Sequence, residues 1–469
     1  MRASADPGSF RDSTNRVYAL EGRILRGLSA LHGDHFQALS KEPFFGELIR
    51  TSRVVDTHIA DPQDAPIVQT ILEDGWATVV EHAVIPFVTY PYEWCFSMLR
   101  DAALLQLEIL EESLEHGWTL KDASPYNIQW QGCRPTFIDT GSFEPWVQGE
   151  PWIGYRQFCS MFLVPLLLKA HLGIDYLPLL RSKLDGLPPL EARKYFQGRN
   201  RFRRGVMSHV VLPATVERSI ARRERDRAPA RERRAGKHTK AMVLGLVQGL
   251  KSTVSGLQWK VQHTDWSQYA ANHSYESKDV EIKRAFVTRV AGSRPRKLVW
   301  DIGCNTGTFS RIAAANAQTV VALDGDHDAI EQLYRSEKSE PAKRILPLVM
   351  DLANVSPNQG WAGAERKALD ARGRPDLVLC LALIHHMRVS SNVPIPLFLD
   401  WLRSLGSEVV LEFVGRQDEM FLKLLANKSV TYDDYSLESF VEACRSRYEI
   451  ADRQPLKDGH RELFHLVPR

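Results

Sequence analysis

"LVWDIGCNTGTFS", residues 298–310, runs from an apolar stretch through a glycine-bearing turn into the start of a helix. Gly303 permits a tight turn, and Gly307 lets the backbone come close to a ligand. The dinucleotide pattern G-x-G-x-x-G is not met, because Asn305 takes the middle glycine position and no glycine stands three residues after Gly307. The loop is wider than a pyrophosphate clamp requires. Outward from it, short apolar runs recur: TVVALD (319–324), RILPLVM (344–350), DLVLCLAL (376–383), EVVLEFV (408–414), YEIAD (448–452) and ELFHLV (462–467). Continuous apolar runs mark parallel strands buried on both faces, and the intervening segments are long enough for crossover helices. Five β-α units and two closing strands predict an open, doubly wound α/β sheet of seven strands.

Ligands of such sheets sit outside the carboxyl ends of the strands. Asp324 ends the second strand, where its two oxygens suit the hydroxyls of a ribose. Asp351 ends the third and suits an adenine amino group, with the Leu352 amide beside it to donate to a ring nitrogen. With these residues in place, the span 296–469 resembles the class I S-adenosylmethionine-dependent methyltransferases and their Rossmann-like sheet. The resemblance implies that Asp301 and the Gly303–Asn305–Gly307 loop hold the methionine end of the cofactor. It gives Asp324 the ribose, and Asp351 and Leu352 the adenine. It implies no metal in this domain.

The end of the fourth strand, CLALIHHM (380–387), faces the methyl acceptor in that family. An Asn/Asp-Pro-Pro-aromatic motif for base amines is absent, and Cys380 lacks the preceding proline of a pyrimidine nucleophile. His385 and His386 remain as candidate catalytic bases, since an imidazole titrating near neutrality can take a proton from an attacking hydroxyl. That points to O-methylation, although proximity and orientation alone can also drive methyl transfer. Tyr269 and Tyr275, in an aromatic segment before the first strand, are candidate cofactor lid residues, and Glu412 at the end of the fifth strand is a candidate acceptor contact.

A second motif lies in the N-terminal half. "LKDASPYNIQW" (120–130) and "FIDTGSF" (137–143) place Asp122, Asn127 and Asp139 at spacings that resemble the catalytic loop and metal-binding turn of protein-kinase-like folds. The helical face Leu99, Ala103, Leu107, Leu110, Leu114 precedes this loop, and FVTYPYEW (87–94) fits the strand before that helix. The resemblance implies ATP, with magnesium at Asn127 and Asp139 and Asp122 orienting the attacking hydroxyl. It covers about residues 75–180 and has gaps. Lys121 replaces the usual arginine, no glycine-rich loop precedes it, and Lys41 is the only earlier lysine, so the phosphate-pairing strand lysine is missing. Arg50 and Arg53 are candidate replacements for its charge. A working kinase, a nucleotide-binding but inactive module and a scaffold all stay open.

The 469 residues suit two or three domains: a kinase-like α+β domain at 1–200, a basic linker or helical segment at 201–262, and the methyltransferase domain at 263–469. Residues 201–240 carry 13 Lys or Arg against four Asp or Glu, so the net charge of +3 hides an acidic remainder. A basic run invites nucleic acid, and an RNA-modifying enzyme recruited through it is one alternative. Against this, the run lacks the aromatics on which single strands stack. The six cysteines are scattered without metal-ligand spacing, which argues for a reducing compartment. The N-terminus lacks an apolar signal core, and FCSMFLVPLLLKA (158–170) is too short to span a bilayer, so a cytoplasmic location and a buried helix are expected. The whole arrangement resembles a bacterial methyltransferase family that includes host-specificity nodulation proteins of rhizobia. It implies a small-molecule or glycoconjugate acceptor. A bifunctional kinase–methyltransferase and a non-catalytic cofactor sensor are the remaining alternatives.

Overall fold

The computed structural model describes residues 5–20, 22–61, 66–215, 238–260, 277–340, 344–426, 428–430, 432–456 and 459–469. The chain forms two compact units. The first comprises Met1–Trp130, Pro135–Lys260 and Gly360–Arg366; the second comprises Gln131–Arg134, Val261–Gln359 and Lys367–Arg469.

The first unit opens with β1 (Asn15–Leu20), β2 (Arg23–Leu28), β3 (Thr57–Ile59) and β4 (Thr78–His82), an antiparallel sheet in the order β1-β2-β4-β3. Helix Phe96–Glu115 follows, and all five residues of its expected apolar face are buried. Gly117, at φ 84°, stands just past its end in the left-handed region that glycine tolerates. Then come β5 (Trp118–Leu120), β6 (Ile128–Gln131), β7 (Arg134–Phe137) and β8 (Phe143–Pro145), paired as β5 with β8 and β6 with β7. Residues 87–94 are not the expected strand. Pro91–Glu93 make one 3-10 turn, and Glu93 accepts the Tyr90 amide at 3.0 Å, taking that donor from any ladder. The apolar run near 158–170 is helical and buried, with one wide turn at Cys159–Leu163 just before Pro165.

The stretch expected as a basic linker or helical segment contains a helix near its end. Helix Lys240–Ser255 packs on helix Phe96–Glu115, with Gln248 Nε2 3.0 Å from Glu111 Oε1 and Lys240 Nζ 2.8 Å from the Glu115 carbonyl. Val243, Val247, Leu250 and Val254 supply its buried face. Most of the basic run, 216–237, lies outside the described residues. Among the described residues no helix is long and apolar enough to cross a membrane.

The second unit is built on β9 (Arg296–Ile302), β10 (Ala317–Asp324), β11 (Ile345–Val349), β12 (Leu377–Cys380), β13 (Glu408–Val414), β14 (Tyr448–Pro455) and β15 (Arg461–Pro468). They form one sheet in the order β11-β10-β9-β12-β13-β15-β14. The first five are parallel, and β15 inserts antiparallel between β13 and β14. Val299, Trp300, Val320, Val321, Leu379 and Val410 are fully buried, as two-sided coverage of the central strands requires. The order reverses between β9 and β12, which opens a crevice at their carboxyl ends.

Candidate functional site

The loop after β9 is shaped by three left-handed residues: Gly303 at φ 77°, Asn305 at 49° and Gly307 at 81°. Gly307 precedes helix Thr308–Ala314, and a Cβ there would come within 2.5 Å of Leu333 Cδ1. Asn305 is not a glycine, yet it is held in place. Its amide donates to Asp324 Oδ2 at 2.8 Å, and its own side-chain oxygen accepts the Thr306 amide at 2.7 Å.

Asp301 is buried at the end of β9 and accepts the Ser310 hydroxyl at 2.5 Å. Burial pushes its carboxyl up to about 7, with nearby Asp324 adding to the rise and the Ser310 hydrogen bond opposing it. Asp324, raised mainly by burial, takes the Asn305 amide on one oxygen and the Asp326 amide on the other, at 2.8 Å each. Each carboxylate oxygen has two lone pairs, so both keep capacity for a ribose hydroxyl. Asp351 is exposed and accepts the Ala353 amide at 2.9 Å.

A cavity of about 770 Å³ joins these groups. Asp301, Gly303, Asn305, Asp324, Asp351 and Leu352 line one part of it, and Lys283, Leu383, His386, Met387 and Glu412 line another. Gly307 does not line it and acts through the turn. Tyr269 and Tyr275 lie outside the described residues. The donor and acceptor set, and a concave volume in the range of cofactor sites, fit S-adenosylmethionine.

The two histidines part company. His386 borders the cavity, whereas His385 is fully buried, absent from its lining, and without a hydrogen-bond partner on either ring nitrogen among the described residues. Their rings lie 4.1 Å apart. Burial, then the Arg461 charge, lowers His386 to about 4, so its imidazole is neutral at physiological pH.

Glu412 is fully buried at the cavity wall. Its Oε1 receives Lys283 Nζ at 2.7 Å and Arg461 Nη1 at 3.1 Å, while Arg461 also grips Asp418 at 2.6 and 3.0 Å. Glu412 Oε2 has no partner among the described residues. Sequence reasoning missed Lys283 and Arg461. Lys283 did carry a signal: with Phe286, Val287 and Val290 it falls on the buried face of helix Ser277–Ala291, where a lysine needs a counter-ion. Arg461, across the β13–β15 ladder, gave none.

In the first unit the expected trio is partly assembled. Asn127 Nδ2 lies 3.3 Å from Asp139 Oδ2, and Asp122 is pushed up to about 6 by burial and then by Asp139. The two arginines considered for the strand charge pair with glutamates instead. Arg50 pairs with Glu47 and Arg53 with Glu112. It is Arg26 of β2 whose guanidinium is hydrogen-bonded to Asp139 Oδ1, with Asn15 Oδ1 3.3 Å away. Lys121 lies 2.8 Å from Asp12; burial would raise that carboxyl, but hydrogen bonds from Lys121 and Thr14 outweigh it and hold it near 2.

Over 460 residues the chain is 33% identical to nodulation protein NoeA of Rhizobium meliloti strain 1021, covering 97% of this chain and 94% of that protein. The chain belongs to the NoeA family. No family model matches it. Among solved structures, the N-methyltransferase NodS of Bradyrhizobium japonicum WM9 with S-adenosyl-L-homocysteine aligns over 43% of this chain and 96% of its own, at 12% identity and TM-score 0.32. The bifunctional kinase-methyltransferase WbdD aligns over 45% and 43%, at 19% and 0.30. The magnesium protoporphyrin IX methyltransferase of Synechocystis PCC 6803 aligns over 42% and 89%, at 17% and 0.29. These neighbours are methyltransferases.

Proposed function

We propose that the second unit is an S-adenosylmethionine-dependent methyltransferase acting on a hydroxyl of a small molecule or glycoconjugate. The observation that carries this reading is the one continuous cavity at the carboxyl edge of the sheet, shared by Asp301, Asp324 and Asp351 and by His386. When bound, S-adenosylmethionine supplies an electrophilic methyl group on a sulfonium and leaves as S-adenosylhomocysteine. Asp301 and the backbone of the Gly303–Gly307 loop hold the amino-acid end, Asp324 the ribose, and Asp351 with the Leu352 amide the adenine. His386, neutral and bordering the cavity, takes the acceptor's proton as the new O–C bond forms. The test is calorimetric titration with S-adenosylmethionine, followed by transfer of labelled methyl into a fractionated extract of the producing cells. Absence of cofactor binding sinks the reading.

A second reading is favoured by Arg26. A strand cation beside Asp139, with Asn127 next to it, is what a phosphotransfer site needs, so a first unit that uses ATP and prepares the acceptor is the alternative. The fit to magnesium is poor in this state, because the Arg26 guanidinium already occupies one oxygen of Asp139. Among the described residues, moreover, no group of three or more His, Cys, Asp or Glu side chains is arranged to hold a metal. Label transfer that requires ATP and magnesium, and is lost in Asp139→Ala, selects this alternative; transfer without ATP selects a scaffold.

A further inference from the structure

Glu412 lines the same cavity as the carboxylates given to the cofactor. It is fully buried, and its Oε1 is doubly paired, yet Oε2 has no partner among the described residues although the residue lines the cavity. A buried carboxylate oxygen left without a donor is costly, and a bound ligand can relieve that cost. Resting on the methyltransferase reading above, we infer that Lys283, Glu412 and Arg461 form an acceptor subsite that takes an uncharged hydroxyl group.

Three chemical classes are separated by the geometry. An ionised carboxylate only accepts hydrogen bonds, so the partner of Oε2 must be a donor. Carboxylate, phosphate, ether and carbonyl acceptors therefore fail. A protonated amine is a donor, but it would be the third cation on a carboxylate that already holds Lys283 and Arg461. Like charges crowded in a dry site repel strongly. An aliphatic amine could enter only after giving up its proton far below its usual pKa. A hydroxyl needs no such change: one hydroxyl donates to Oε2, and a neighbouring hydroxyl of the same acceptor keeps its proton for His386. The Lys283 and Arg461 pairing also favours the ionised form of Glu412 against burial.

The expected product is a methyl ether of a hydroxyl-bearing acceptor, and the three classes are separable without knowing the acceptor. Wild-type protein is incubated with labelled S-adenosylmethionine and the extract, and the labelled fraction is divided. Label that survives mild base, and after acid hydrolysis is not held by a cation exchanger, is an ether and supports the inference. Label released by mild base as methanol is an ester, and label held by the cation exchanger is an N-methyl amine; either overturns it. Glu412→Gln supplies a second reading. Its apparent KM, taken from rate against dilution of the acceptor fraction, is expected to rise about tenfold or more. Its affinity for S-adenosylhomocysteine is expected to stay within about twofold of wild type. An unchanged KM, or a parallel loss of cofactor affinity, overturns the assignment. Failure of the wild-type protein to bind the cofactor at all is a different result and removes the parent reading instead.

Discussion

Lys283 Nζ lies 2.7 Å from Glu412 Oε1, and both side chains are nearly or wholly withdrawn from solvent. One comes from the helix before β9 and the other from the end of β13, so a single ion pair ties a covering helix to the sheet's ligand-facing edge. Removing one partner of a buried pair strands the other's charge, which costs about 3–5 kcal/mol. Glu412→Ala takes a partner from both Lys283 and Arg461, although Arg461 keeps Asp418, and is expected to lie at the upper end. Lys283→Met leaves Arg461 on the carboxylate and is expected to cost less. Urea denaturation of the two variants checks the order, and a milder effect for Glu412→Ala refutes it.

Burial pushes the Asp301 carboxyl up to about 7. A cationic ammonium brought beside it would favour the ionised form, so cofactor binding there would lower this pKa and release a proton. S-adenosylmethionine affinity is therefore expected to rise as pH climbs from 5 toward about 7 and then level off. In Asp301→Asn the profile is expected to be flat and the affinity weaker throughout. Calorimetry in two buffers of different ionisation enthalpy reads the proton directly. For stability the sign is opposite. The folded protein holds this proton above the pKa of an unfolded aspartate, so this group's contribution to stability falls as pH rises from about 4 to about 7.

His386, lowered to about 4, is already unprotonated where an ordinary histidine is half charged. The acid limb of methyl transfer attributable to it is expected near pH 4, with no inflection near 6.5. His386→Asn is expected to lower kcat by about a hundredfold while leaving S-adenosylhomocysteine affinity intact. His385→Asn, whose ring is buried off the cavity, is expected to lower thermal stability instead. Equal kinetic losses in the two variants count against the assignment.

Gly307 combines a left-handed backbone with a close approach to Leu333, whereas Gly406, at φ 72°, has nothing within 4 Å of where a Cβ would stand. Gly406→Ala is expected to cost only the strain, about 1–2 kcal/mol. Gly307→Ala is expected to cost more and to weaken cofactor binding as well, because the loop must shift. Thermal denaturation with and without S-adenosylhomocysteine distinguishes the two.

The strands of the second unit were legible because a strand covered on both faces must be apolar along its length, and its sequence says so. Asp324 and Asp351 were legible for a related reason: each follows such a run directly and so falls at a carboxyl end. The distinction between His385 and His386 was not, since adjacent residues at a strand end differ only in how the next turn winds, and here Ala382 takes a left-handed φ of 50° before a wide turn at His386–Ser390. Arg26 and Arg461 were hidden because their partners stand 113 and 49 residues away, and no local pattern reports such a pairing. Arg50 and Arg53, nearer in sequence to the expected position, are drawn off by Glu47 and Glu112.

The insertion of β15 between β13 and β14 puts Arg461, the second clamp on Glu412, within the last nine residues of the sequence. A chain cut at position 460 would lose the strand between β13 and β14 and one clamp on Glu412 together. Synthesis must therefore run past β14 before β13 gains its second neighbour and Glu412 its second cation.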